Sequence, residues 1–145
     1  MMVREAKEQD YPALIEIGRR ITDFHSEEEI PFYSESMGFD LYVLESDSGN
    51  PIGFACTRMD DDTQAEIDYI AIAKEEEGKG LASQFLQEVL TDLKEKNIQK
   101  IFLEVRSKNS RAISFYERNG FQQYRIRKHY YNDGDDALCY LKEEK

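Results

Sequence analysis

The chain has 145 residues, 40% of them hydrophobic, and a formal net charge of −11; this length suits one domain with a sizeable core and is too short for two. So acidic a balance argues against nucleic acid as a partner, because phosphate backbones need a basic face, and leaves a cationic substrate open. No apolar run approaches the roughly 18 to 20 residues that span a bilayer, and Met1 to Glu5 lack an apolar signal core, so a cytoplasmic protein without membrane contact is expected.

Residues 3–6 read as a short strand. Asp10 then caps a helix with Pro12 in its first turn, followed by an apolar stripe of Leu14, Ile17 and Ile21. Residues 23–40, with His25, three consecutive glutamates, Pro31, Phe32 and Tyr33, show no clear period and predict a short helix or a mobile loop. Residues 41–45 and 52–59 form a hairpin about Asp47-Ser48-Gly49-Asn50, and after a turn at Asp60 to Asp62 residues 67–72 form the next strand. Cys56 and Cys139 stand in apolar, strand-like contexts without metal-ligand spacing; buried free thiols and no metal are expected.

Residues 70–82 organise the rest. Ile70, Ala71 and Ile72 end an apolar strand, a charged turn follows, and Gly78 and Gly80 precede a helix whose Leu81, Phe85, Leu86, Val89, Leu90 and Leu93 share one face. A glycine inside a helix costs roughly 1 kcal/mol against alanine, so two at a helix start need a reason. Close approach of a ligand to bare backbone is one: the free N–H groups of the first turn and the positive dipole end attract an anion. The alternative is a plain loop-to-helix junction in which Glu75 to Glu77 complement the macrodipole. Neither Gly-x-x-x-x-Gly-Lys-Ser/Thr nor Gly-x-Gly-x-x-Gly occurs.

Downstream, residues 101–105 read as a buried strand in which Glu104 is out of place. It is either a site carboxylate at the end where ligands of open sheets collect, or a partner of Arg106 or of a lysine across the sheet. Asn109 caps a helix over 109–118 that stops at Asn119-Gly120; its Tyr116 shares a face with Ala112 and Ile113 and suits either core or site. His25 and His129 have no partner motif. Tyr130 and Tyr131 begin a hairpin tip between strands 121–127 and 137–141, where one ring can pack inward while the other faces a site. The order of strand, two helices, three antiparallel strands, helix, strand, helix and two strands describes a mixed-sheet α/β or α+β domain.

These residues together resemble the GNAT superfamily of acyl-CoA-dependent N-acetyltransferases. Glu77-Gly78-Lys79-Gly80-Leu81-Ala82 occupies its Gln/Arg-x-x-Gly-x-Gly/Ala motif, with Glu77 in place of Gln or Arg. Leu103-Glu104-Val105-Arg106, Asn109-x-x-Ala112 and Phe115-Tyr116-Glu117-x-x-Gly120-Phe121 fit its second half. Arg127-Lys128-His129-Tyr130-Tyr131 with Asp133-Gly134-x-Asp136-Ala137 is similar to the hairpin of the ribosomal-protein-alanine and archaeal protein N-terminal acetyltransferases. Phe24-His25-Ser26-Glu27 replaces the Pro-Trp-Ser-like sequence of the ribosomal-protein enzymes, in a segment that shapes the acceptor pocket.

The resemblance implies one GNAT domain over 1–145, with a mostly antiparallel sheet of about seven strands flanked by about four helices. It implies acetyl-CoA as cofactor, its pyrophosphate on the backbone of Gly78, Lys79, Gly80, Leu81 and Ala82 beside Glu77, and its pantetheine arm paired as an added strand with Ile70, Ala71 and Ile72. A backbone amide there would polarise the thioester carbonyl. Asn109 would contact the cofactor, Glu104 would be the general base, Tyr116 the general acid, and Tyr130 and Tyr131 would hold the acceptor. The implied acceptor is a protein N-terminal α-amine, with a small-molecule amine or a lysine side chain as alternatives; a non-catalytic acetyl-CoA-binding regulator, motivated by Glu77, is the alternative of another class. An α-amine, with pKa near 7.7 to 8, loses its proton for roughly 3.5 kcal/mol less than lysine near 10.4. Monomer and homodimer both remain open.

Overall fold

A computed structural model describes residues 1–143. Along the chain come β1 (Met2–Glu5), α1 (Tyr11–Gly18), α2 (Ser26–Glu35), β2 (Phe39–Glu45), β3 (Pro51–Met59), β4 (Gln64–Ile72), α3 (Leu81–Glu95), β5 (Lys100–Arg106), α4 (Ser110–Arg118), β6 (Gln122–Arg127) and β7 (Ala137–Glu143). The strands form one sheet in the order β1-β2-β3-β4-β5-β7-β6, antiparallel except between β4 and β5. Element order and the single mixed sheet agree with the sequence reading.

The segment 23–40 resolves as helix α2. Its buried positions are Ser26, Ile30 and Tyr33, at helical spacing, but the first is polar and so obscures the apolar period. Burial of Ile30 and Tyr33 holds the helix in spite of Pro31.

Helices cover both faces of the sheet. Phe85, Leu86, Val89, Leu90 and Leu93 of α3 pack with Leu44, Ile67, Ile101, Leu103 and Tyr140 in one core. On the other face Leu14 and Ile30, from α1 and α2, pack with Val43, Phe54 and Cys56. Cys56 and Cys139 are buried and free. Among the described residues, no helix is long and apolar enough to cross a membrane.

The sheet is interrupted at its parallel junction. β4 and β5 pair only from Gln64↔Lys100 to Glu66↔Phe102, while β5 stays paired with β7 up to Arg106↔Ala137. Between the Thr57↔Ile67 and Cys56↔Tyr69 pairs, Asp68 is an extra residue on β4. Such a bulge bends a strand and resets its alternation. Ala65 and Ile67 before it, and Ile70 and Ile72 after it, all join the α3 core. The two strands therefore splay, and the C-terminal half of β4 turns unpaired backbone toward a gap.

Candidate active site

The gap opens into a cleft of about 640 Å³. One wall is Ile70, Ala71 and Ile72; Glu77, Gly78, Gly80, Leu81 and Ala82 form the turn before α3; Asn109, Arg111 and Tyr116 face them from the α4 side. Gly78 and Gly80 have φ of 82° and 76°, and a β-carbon on either would meet nothing within 4 Å. Their conformation, rather than crowding by the protein, calls for glycine. Gly80 precedes α3 with no side-chain cap, so the first-turn N–H groups border the cleft with no acceptor among the described residues. Ile72 offers its carbonyl to the cleft side, where Arg20 Nη2 donates to it at 2.6 Å, whereas the Ala71 carbonyl lies against Gly53 of β3. Lys79 does not line the cleft: its Nζ donates to Glu76 at 2.8 Å. Glu77 accepts from Arg20 and Arg111, which hold its carboxyl below the usual range, Arg111 contributing more.

A second cleft, of about 630 Å³, adjoins the first and shares Arg20, Ile21, Ile70, Asn109, Ala112 and Tyr116 with it. It contains Glu104, Tyr130 and Tyr131, so the candidate base and the candidate acid line the same cleft, with Tyr116 at its junction with the first. Tyr116 packs its ring 5.2 Å from Phe115 and 5.7 Å from Phe121, and burial pushes its phenol pKa up. Asn109 Oδ1 accepts from Ala112 N–H at 3.1 Å and caps α4.

Among the described residues, Glu104 pairs with neither Arg106 nor a lysine. Its Oε2 lies 2.7 Å from Arg127 Nε, although that N–H is not aligned for a hydrogen bond, and 3.6 Å from Cys139 Sγ. Arg106 is engaged elsewhere: it binds Asp23 of the α1–α2 turn and Asp133 of the β6–β7 loop, and its guanidinium lies 4.0 Å from the centre of the Tyr131 ring. Burial, then the Glu104 charge, pushes the Tyr131 phenol up to about 12. Tyr130 is half exposed, and its phenol is raised first by the charge of Glu104.

Sequence reasoning missed the acids on the opposite wall. Burial, outweighing Arg58, pushes the Glu66 carboxyl up to about 7. Burial also raises Asp68, against the hydrogen bond from Tyr33. The signal was available: Glu66 and Asp68 alternate with Ala65 and Ile67, so both acids lie off the apolar face of one strand. Phe24, in the segment expected to shape the acceptor pocket, instead stacks on Phe54 in the core and packs at a tilt against Tyr69, and Thr22 and Asp23 line the cleft. Neither His25 nor His129 lines either cleft.

Residues 2–121 match the Acetyltransferase (GNAT) family. The chain belongs to that family. This GNAT chain is 31% identical over 132 residues to the ribosomal protein bS18-alanine N-acetyltransferase of Escherichia coli K12, covering 89% of this chain and 88% of that one. It is 41% identical over 75 residues to N-alpha-acetyltransferase 30 of Schizosaccharomyces pombe, a match spanning 52% of this chain and only 50% of that relative. In three dimensions it superposes on the crystal structure of the ribosomal-protein-S18-alanine N-acetyltransferase from Escherichia coli with a TM-score of 0.85 and 27% identity, covering 98% and 92% of the two chains.

Proposed function

We propose that this chain transfers the acetyl group of acetyl-CoA to a primary amine, and that the amine is a protein N-terminus. One observation carries the reading: two clefts meet at Tyr116, one bordered by an uncapped helix start and cleft-facing β4 backbone, the other by Glu104. Uncapped N–H groups, positive-φ glycines and three arginines (Arg20, Arg111 and Arg118) suit the phosphates and extended arm of acetyl-CoA. The relatives named for N-terminal alanine or α-amine acetylation support the acceptor class.

Acetyl-CoA supplies an acyl group activated as a thioester. The backbone of Gly78 to Ala82 holds its pyrophosphate, that of Ile70 and Ile72 aligns its arm, and Asn109 contacts it from the start of α4. Glu104, steadied by Arg127, accepts a proton from the acceptor amine. Tyr116, kept protonated by burial, donates a proton to the leaving sulfur. Tyr130 and Tyr131 hold the acceptor backbone, and in its cleft Asp23, Glu66, Asp68 and Glu104 outnumber Arg20, Arg58 and Arg106, a slight negative balance that suits an ammonium group.

The test is incubation with acetyl-CoA and a panel of peptides, lysine-blocked or N-terminally blocked, read by mass spectrometry. Acetylation at the α-amine is expected; modification of lysine side chains alone sinks the assignment. A second reading, a small cationic amine, is favoured by the same negative balance, and a diamine in the same panel resolves it. Glu104→Gln and Tyr116→Phe should each lower kcat about 100-fold or more while leaving acetyl-CoA affinity nearly unchanged. Full rate in both variants removes the acid and base assignments.

A further inference from the structure

Glu77 joins two arginines that arrive from different elements. Its Oε1 accepts from Arg20 Nη1 at 3.0 Å and its Oε2 from Arg111 Nη2 at 2.8 Å. Arg20 lies in the turn after α1 and Arg111 in the first turn of α4, so one carboxylate spans the cleft beside the glycine turn. Lys79 takes no part, being bound to Glu76.

The bridge is built to be exchanged. Arg111 is 80% exposed and Glu77 28% exposed, and ion pairs in that setting contribute about 1 kcal/mol or less each. A phosphate offers the same two guanidiniums more charge and more acceptor oxygens than a carboxylate does. A chain with net charge −11 also needs local cations to receive a polyanion, and two of the three arginines lining this cleft are the ones that Glu77 engages. Arg20 carries a further consequence. Its Nη2 occupies the Ile72 carbonyl, a cleft-facing group of the strand assigned above to the cofactor arm, so turning Arg20 toward a phosphate also frees that carbonyl.

We propose that Glu77 is a surrogate anion, which orients Arg20 and Arg111 in the cleft and yields them to the phosphates of acetyl-CoA when the cofactor enters. This rests on the assignment of the cleft to acetyl-CoA. In this role Glu77 lowers cofactor affinity and eases release of the product CoA, while keeping both arginines aimed at the cleft.

Calorimetric titration tests the proposal with three probes: CoA, 3′-dephospho-CoA and pantetheine. Glu77→Gln should tighten CoA about three- to ten-fold at low salt, the scale of one or two half-exposed ion pairs, with the gain shrinking as salt rises. Arg111→Gln added to that variant should return the affinity to the wild-type level or below. Arg20 is left intact because it also holds Ile72. A gain kept with 3′-dephospho-CoA assigns the arginines to the pyrophosphate, and a gain lost with it assigns them to the 3′-phosphate; pantetheine, which carries no phosphate, should bind both proteins alike. If wild type binds CoA but Glu77→Gln is no tighter, if the gain survives Arg111→Gln, or if it extends to pantetheine, the exchange is wrong. If wild type does not bind CoA at all, the assignment of the cleft itself fails.

Discussion

At the scale of single residues, the site depends on arginines that fix acids. Arg127 illustrates this. It reaches from β6 across β7 to Glu104, and takes the place that the sequence left open for Arg106 or a lysine. Since Arg127 is 41% exposed, the pair adds little to stability; what it adds is a fixed direction for the carboxylate. Arg127→Gln is therefore expected to lower kcat about three- to ten-fold with acetyl-CoA affinity unchanged, and Arg127→Lys to recover most of the loss. Stopped-flow kinetics beside calorimetry would check this, and a loss confined to cofactor affinity would contradict it. The sequence could mark Glu104 as misplaced within an apolar strand, because its neighbours Leu103 and Val105 are apolar. It could not name the partner, because that depends on β7 lying between β5 and β6, a matter of sheet order.

At the scale of elements, legibility followed the strength of the local pattern. α3 could be read because five buried apolar residues recur at helical spacing, and the turn before it because Gly78 and Gly80 stand together. The bulge at Asp68 and the parting of β4 from β5 carry no local signature: both arise from pairing with β3 and from the short register shared with β5. Gly80→Ala tests the turn. An alanine forced to φ near 76° costs about 1–2 kcal/mol, which should lower Tm by about 3–6 °C and weaken CoA binding, as read by calorimetry; an unchanged Tm would show that the turn relaxes freely. The two loops over the acceptor cleft form a second element-scale device. Arg106 ties Asp23 on one loop to Asp133 on the other and stacks on Tyr131. Arg106→Ala should raise the acceptor KM several-fold and speed amide hydrogen exchange across residues 128–136, leaving cofactor affinity alone. Exchange as slow as in wild type would mean that the loop holds without its arginine.

For the whole molecule, buried carboxylates give stability two pH limits of opposite sign. Asp10 is almost fully buried and receives Arg4 through two hydrogen bonds, which hold its carboxyl below the usual range. Its contribution is present above the unfolded pKa and is lost as pH falls through the lower, folded one. Glu66 acts in the other direction. Its folded pKa of about 7 stands above the ordinary 4.5, so between those values the native state binds more protons than the unfolded chain, and stability falls as pH rises. With its side chain 18% exposed, the effect amounts to at most about 3 kcal/mol by pH 8. Asp68, also raised by burial, adds to the same decline. The acids that give the acceptor cleft its negative balance thus cost stability at the pH where an α-amine begins to lose its proton, an exchange of stability for function at one strand. Urea unfolding of wild type and Glu66→Gln at pH 3, pH 5 and pH 8 separates the two limits. The variant should lose much of the fall between pH 5 and pH 8 and keep the acid-side loss, which sets in below the unfolded carboxylate value of 3.8 and continues toward the lower folded value of Asp10; parallel curves for the two proteins would show that Glu66 is ionised at no cost.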